Sequence, residues 1–144
     1  MSLSHFAVLT LWCAALCWFD LRHRRLPNAL TGYGAATVLG YALGTTYFGA
    51  AVAGGAMLAG VYLVVHLVAP AAMGAGDVKL AVGLGAVAGM AGARVWTTAA
   101  LLAPALTALA GCALLIARRR ADRAVPHGPG MCLATMLAVA AVPP

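Results

Sequence analysis

The class of fold follows from an apolar run at 3–19, LSHFAVLTLWCAALCWF, and from the polar segment that ends it at 20–28, DLRHRRLPN. About 20 apolar residues cross a bilayer as a helix, so this run predicts a membrane span. No Lys or Arg precedes the run and no small-residue cleavage site precedes the charged segment, which favours an uncleaved span over a signal peptide. Pro27 and Asn28 then indicate the start of a second helix, because proline is tolerated in a first helical turn.

The composition extends this interpretation to the whole chain. Of its 144 residues, 64% are apolar and 8% are charged, whereas a soluble domain has about 25% charged residues. Five further apolar runs predict helices at about 29–48, at 51–72, from after the MGAGDVK segment to about 92, at 95–117 and at 131–142. The expected fold is an all-α, polytopic membrane helical bundle with about six transmembrane helices, forming one domain over residues 1–144.

Small residues recur at every fourth position in two of these runs and predict faces where neighbouring helices approach closely. On the second helix they are Gly32, Ala36, Gly40 and Gly44, and on the fourth helix they are Gly85 and Gly89. Pro104 lies inside the fifth run and predicts a kink there. The sixth run is short for a full crossing.

The charged residues indicate the orientation of the helices. Nine Lys and Arg residues face three acids, Asp20, Asp77 and Asp122. Only Arg94 lies outside the first, third and fifth loops, so the positive-inside rule makes those three loops cytoplasmic and both termini external. Because the basic residues flank apolar runs, nucleic acid is not expected as a partner. The basic residues of the three loops are Arg22, Arg24, Arg25, Lys79, Arg118, Arg119, Arg120 and Arg123.

The cysteines do not predict a metal site. All of them fall in apolar stretches, and none belongs to a C-x-x-C pair, the spacing typical of zinc ligands. We expect them to be small buried apolar residues. They are Cys13, Cys17, Cys112 and Cys132.

Two acids fall at the same predicted membrane face. Asp20 ends the first run, and Asp77 follows Gly74-Ala75-Gly76, where glycine permits a bent backbone and close approach of a peptide. Two such aspartates can form a pair in which one carboxyl stays protonated while the other is ionised. The ionised group would activate water and the protonated group would polarise the carbonyl of a peptide bond. Either carboxyl can take either role.

Purely structural roles compete with this hypothesis. Asp77 could cap the fourth helix. Asp20 could end the first span or pair with Arg22 or Arg24. Asp122 lies among arginines, which is typical of a solvated ion pair.

The other polar residues near the motifs also have two interpretations. Lys79 could favour the ionised state of Asp77 or extend its side chain to the lipid headgroups. His23 and His127 lie in polar loops and are expected at the surface. The segment 126–129 could be an ordinary proline-rich loop or could shape the site.

Three motifs occur in an order that resembles the type IV prepilin peptidase family. They are Asp20 followed by Arg25-Leu26-Pro27-Asn28, then Gly74-Ala75-Gly76-Asp77-Val78-Lys79-Leu80, then Pro126-His127-Gly128-Pro129. The resemblance covers almost the whole chain and implies a GxGD-type intramembrane aspartic endopeptidase with Asp20 and Asp77 as its catalytic residues. Substrate-positioning roles are then expected for Gly74, Gly76, Lys79, Pro126, Gly128 and Pro129.

The resemblance also implies the substrate and the location. The family cleaves prepilins and pseudopilins after a short basic leader, at the cytoplasmic face of the bacterial cytoplasmic membrane, which agrees with the orientation derived from the basic residues. The expected partners are this substrate and membrane lipid, and no cofactor or metal is expected. Larger members carry a cytoplasmic insertion with paired cysteines and also methylate the product. This sequence resembles the short, peptidase-only form.

Two other classes of protein are consistent with the composition. A small proton- or cation-coupled transporter subunit would also carry acids in its membrane helices, although transporters hold them near the middle of the bilayer. A non-catalytic assembly protein would need neither acid.

Overall fold

A computed structural model describes residues 3–71, 73–116 and 125–141, and all regular elements within these ranges are α-helices. The predicted all-α bundle is therefore confirmed. Three of the helices, α1, α3 and α5, are long and apolar enough to cross a membrane, whereas α2, α4 and α6 have 16, 17 and 13 residues. The helices are α1 (Leu3–His23), α2 (Asn28–Leu43), α3 (Phe48–Val68), α4 (Ala75–Ala91), α5 (Ala93–Ile116) and α6 (Gly128–Ala140).

Some helix boundaries differ from the predicted ones. The polar end of the first run stays helical, and the apolar end of the second run forms a turn. Helix α1 continues past Asp20, and its last turn closes when Arg24 N–H donates to Asp20 O at 2.9 Å. Arg24 then ends the helix in the left-handed region, with φ of 52°. Helix α2 ends about five residues early, because residues 44–47 form a turn. Helix α5 continues through Pro104.

Helix α4 lies at the centre of the bundle. It contacts α2, α3, α5 and α6, and Leu80, Leu84 and Ala88 on it are fully buried. The outer helices instead expose large apolar side chains such as Trp18 on α1 and Leu101 on α5. An apolar exterior around a closely packed central helix is the arrangement expected for a protein surrounded by lipid.

The small-residue face predicted on α4 packs against α3. A Cβ atom at Gly85 would lie 2.5 Å from Gly54 O, and one at Gly89 would lie 3.1 Å from Gly54 Cα. The two backbones are in direct contact, so this prediction is confirmed. Glycine at these positions fixes how deeply α4 sits in the bundle.

The prediction that the small residues of α2 pack against a neighbouring helix is wrong for contacts within this chain. A Cβ atom at Gly32 or Gly40 would meet no atom within 4 Å. Helix α2 packs through other residues: Gly34 lies against the Trp12 ring, and Trp12 Nε1 donates to Leu30 O at 3.0 Å. A four-residue period identifies one face of a helix, but the neighbours in the bundle decide which face is covered.

The cysteine prediction holds only in part. Cys13 and Cys132 are buried and Cys17 is half-buried, but Cys112 is exposed because it lies on the outer side of α5. All four are free thiols. The predictions for Asp122 and for the basic residues 118–120 and 123 lie outside the described residues.

Glycine should matter for stability at the contact between α3 and α4 but not on the exposed face of α2. Gly85→Ala should lower the unfolding midpoint, because its Cβ overlaps Gly54 O and overpacking typically costs about 1–3 kcal/mol. Gly32→Ala should leave the midpoint unchanged or raise it slightly, because alanine favours helix and space is free. Circular dichroism of detergent-solubilised protein during heating measures both. Equal midpoints for the two variants would contradict the packing described here.

Candidate active site

Asp20 is buried because it continues the inward face of α1. The buried residues of that helix are Leu9, Cys13, Leu16 and Asp20, at intervals of three or four residues that place them along one face. The side chain of Asp20 is 7% exposed. The sequence thus carries a carboxyl group at the end of an apolar stripe, facing into the bundle.

The Asp20 carboxyl group is held by the first turn of α6. Gly128 N–H donates to Asp20 Oδ2 at 3.0 Å, across 108 residues of sequence. A Cβ atom at Gly128 would lie 2.6 Å from the same oxygen, so only glycine allows this approach without displacement of the carboxyl. The N–H groups of a first helical turn have no partner within the helix and favour a negative charge.

The Asp77 carboxyl group is held by the start of its own helix, α4. Its Oδ2 accepts a hydrogen bond from Gly74 N–H at 3.2 Å, and its own N–H donates to Gly74 O at 3.0 Å. The side chain is 8% exposed. Asp77 therefore caps α4, which is the structural role that competes with catalysis. Its side chain nevertheless faces the interior of the bundle.

The two carboxyl groups lie at the same end of the bundle and interact electrostatically. The charge of Asp20 acts on Asp77, while the Arg24 guanidinium acts on Asp20. The Oδ1 atoms of Asp20 and Asp77 make no hydrogen bond to a described residue. No fully buried polar side-chain atom among the described residues lacks a partner, so this does not leave a buried oxygen unpaired. Among the described residues, each group thus has one oxygen that accepts no hydrogen bond and could bind a ligand or water.

Two polar residues of α3 belong to the same region. Tyr62 Oη lies 3.0 Å from His127 Nε2, with the ring centroids 5.4 Å apart. His66 Nδ1 lies 2.7 Å from Met73 O. The charge of His66 acts on Asp77. These two α3 residues border the pair of carboxyl groups.

The expectation that His127 lies at the surface is wrong. Its ring packs on Tyr62, and burial lowers the pKa of His127, which favours the neutral imidazole. Tyr62 and His66 were not among the predicted site residues. A signal for both was present, because they are the polar side chains of an otherwise apolar 21-residue helix, and polar residues inside membrane spans commonly have a function.

A cleft of about 410 Å³ opens beside this region. His127 forms part of its wall, which links the cleft to the segment that holds Asp20. The other lining residues are mostly apolar and come from the end of α3, the following loop, the middle of α5 and the segment before α6. They are Val65, Met73, Pro104, Thr107, Ala108 and Val125.

The remaining predicted site residues lie on the two segments that hold the carboxyl groups, at the starts of α4 and α6. A Cβ atom at Gly76 would lie 3.2 Å from Leu26 Cβ, so the start of α4 packs on the segment before α2. Lys79 Nζ donates to Asn28 Oδ1 at 2.8 Å, which ties α4 to the start of α2. Pro129 lies in the first turn of α6, and Pro126 is half-buried just before it.

The fold and this region define a helical membrane protein with a polar site at one end of its bundle. The model of the type IV leader peptidase family matches residues 7–142, and the chain therefore belongs to that family. It is a peptidase. Comparisons with curated proteins and with solved structures gave no significant match.

The close approach of Gly128 to Asp20 predicts that this glycine is needed for activity. Gly128→Ala should lower the kcat/KM of leader cleavage at least about tenfold. Alanine keeps the N–H group, but its Cβ would displace the Asp20 carboxyl and break a hydrogen bond to a charged group, which contributes about 1.5–3 kcal/mol. Gly111→Ala is the control, since its Cβ would lie 3.5 Å from Val125 Cγ2, an ordinary contact. Both variants can be assayed by the mobility shift of a co-expressed substrate. Equal activity of Gly128→Ala and the control would contradict this role.

Proposed function

We propose that this peptidase is an intramembrane aspartic endopeptidase that removes the short basic leader of prepilin- or pseudopilin-like substrates. Asp20 and Asp77 would be its catalytic residues. The observation that carries the proposal is the burial of these two carboxyl groups at one end of the bundle, within electrostatic range of each other. Membership of the type IV leader peptidase family supports the reaction.

The geometry supports a mechanism in which the two carboxyl groups share one proton. Burial and mutual repulsion disfavour two negative charges at one site, so one group is ionised and the other is protonated. The ionised group removes a proton from water, which attacks the peptide carbonyl, while the protonated group donates a hydrogen bond to the carbonyl oxygen. The proton taken from water then passes to the leaving amine. The reaction needs no covalent intermediate.

The Oδ1 atoms, which accept no hydrogen bond from a described residue, are the groups available for this chemistry. In both residues Oδ2 is bound by a glycine N–H, at Gly128 for Asp20 and at Gly74 for Asp77. Each carboxyl is therefore oriented by backbone while its other oxygen remains open. Orientation of reacting groups before the substrate binds is a major source of rate enhancement.

The cleft beside His127 suits the part of the substrate next to the cleaved bond. Its lining is mostly apolar, and prepilins continue into an apolar helix after their leader. The substrate helix would approach between α3 and α5 from the lipid, with the bond to be cut at the carboxyl groups.

The charge distribution supports cleavage on the cytoplasmic side. Arg22, Arg24 and Arg25 follow Asp20, and Lys79 follows Asp77, so the basic residues lie at the same end of the bundle as the site. Positive charge accumulates in cytoplasmic loops. This orientation, in the cytoplasmic membrane of a bacterium, places the site where a leader that has not crossed the membrane can reach it.

A proton- or cation-coupled transporter receives less support. Transporters hold their acids near the middle of the bilayer, whereas Asp20 lies in the last turn of α1 and Asp77 in the first turn of α4. Carboxyl groups at helix ends suit a substrate that is cut at the membrane boundary.

Substitution of either aspartate by asparagine separates catalysis from capping. Asp77→Asn keeps an oxygen that can accept the Gly74 N–H bond, and Asp20→Asn keeps one for Gly128, so both variants should fold. If the carboxyl groups are catalytic, each variant should lose cleavage by roughly 10²- to 10⁴-fold, the range typical of acid–base groups. The mobility shift of a co-expressed prepilin measures this.

Asp122→Asn is the control, because the same substitution among the arginines of the sequence at 118–123 should leave cleavage nearly unchanged. Circular dichroism of the three purified variants checks that they fold alike. Wild-type activity in Asp77→Asn would mean that Asp77 only caps α4, and would falsify the aspartic mechanism.

The resemblance to the peptidase-only form of the family predicts cleavage without methylation. The purified protein should cut its substrate in the absence of S-adenosylmethionine, and the product should carry a free amino terminus. Mass spectrometry of the product, with and without the cofactor, distinguishes the two forms. An N-methylated product made by this protein alone would show that methyl transfer does not need the cysteine-containing insertion.

A further inference from the structure

Helix α3 presents two polar side chains, Tyr62 and His66, one turn apart on the same face. Tyr62 is buried and His66 is half-buried. An unpaired polar group in apolar surroundings costs free energy, so such groups are retained where they have partners. Both side chains form hydrogen bonds to segments outside α3.

His66 acts on the segment that holds Asp77. Its Nδ1 atom lies 2.7 Å from Met73 O, and since a carbonyl only accepts, Nδ1 carries the proton and donates. Met73 C=O and Gly74 N–H belong to one planar peptide group. The N–H of that same group donates to Asp77 Oδ2 at 3.2 Å. His66 thus fixes the orientation of the peptide group that holds Asp77, and hydrogen bonds in series strengthen one another.

Tyr62 acts on the segment that holds Asp20 through the His127 side chain, whereas His66 bonds directly to the backbone. Its hydroxyl group bonds to His127 Nε2 at 3.0 Å, and the bond forms with either tautomer of the neutral ring because a hydroxyl both donates and accepts. His127 directly precedes Gly128, whose N–H binds Asp20 Oδ2. The side chain of His127 is therefore fixed on one side of the peptide group that holds Asp20.

We propose that Tyr62 and His66 are positioning residues that hold the two carboxyl groups in register with each other. Four residues of one helix separate them, about 6 Å along its axis, so a single rigid element carries both contacts. Helix α3 is itself fixed on α4 by the Gly54 and Gly85 contact. The catalytic part of this inference rests on the proposed function of Asp20 and Asp77.

Hydrogen–deuterium exchange tests the positions without using activity. In Tyr62→Phe, exchange should rise in peptides covering 125–131 and stay at the wild-type rate in those covering 73–80. In His66→Leu, the rise should occur in 73–80 and not in 125–131. Tyr33→Phe is the matched control, because Tyr33 is exposed on α2. Unchanged exchange in both segments would overturn the proposal.

Cleavage kinetics test whether the positions matter for catalysis. Tyr62→Phe and His66→Leu should each lower kcat about tenfold, as expected for loss of one hydrogen bond, with KM within about twofold. His66→Asn should restore most of the kcat, because the asparagine amide can replace Nδ1–H as the donor to Met73 O. His127→Gln should likewise retain activity that His127→Leu loses.

The outcomes separate this proposal from the proposed function. If wild-type protein cleaves, both Asp→Asn variants fail and the Tyr62 and His66 variants behave as wild type, the positioning role is wrong and the aspartic mechanism stands. If wild-type protein does not cleave prepilins, the substrate proposal is wrong, and the segment-specific exchange still decides whether α3 fixes the two segments. A fall in kcat that His66→Asn fails to restore would also contradict the role of His66.

Discussion

The structure depends on holding two carboxyl groups inside an apolar bundle. Burial of a carboxylate is unfavourable unless hydrogen bonds replace its water. Here each group takes one bond from the backbone N–H of a glycine, at Gly128 for Asp20 and at Gly74 for Asp77. Both donors lie at the start of a helix, where N–H groups are free and the helix dipole favours negative charge. The site is thus formed by the starts of α4 and α6 meeting the end of α1.

The position of α4 makes this meeting possible. Glycines at the contact with α3 let the two backbones touch, and α4 is surrounded by four other helices. Asp77 lies on the same inward face as Leu80 and Leu84, as Asp20 lies on the inward face of α1 with Leu16. Both acids therefore face the interior because they lie on the packed faces of their helices. Hydrogen bonds from α3 fix the segments before α4 and α6, which contact the two carboxyl groups.

The sequence predicted the parts of this arrangement that depend on local pattern. Apolar run length predicted six helices, and Asp77 was expected near the end of a helix. The start of the fourth helix was predicted too late in the chain, because α4 already begins at Ala75. The sequence could not show that Gly32 and Gly40 face outward, because a repeat does not reveal its neighbour. Nor could it show that His127 meets Tyr62, since that contact joins residues 65 positions apart. The family resemblance placed the motif around Gly128 near the site, but its bond to Asp20 required the fold.

The central claim is that Asp20 and Asp77 act together on one peptide bond. The most direct test is an experimental structure with a prepilin peptide whose scissile amide is replaced by a hydroxyethylene group. We expect the hydroxyl to lie between the two side chains and to form hydrogen bonds of about 2.5–3.0 Å to a carboxyl oxygen of each. A bound analogue whose hydroxyl contacts only one carboxyl group, or neither, would contradict it.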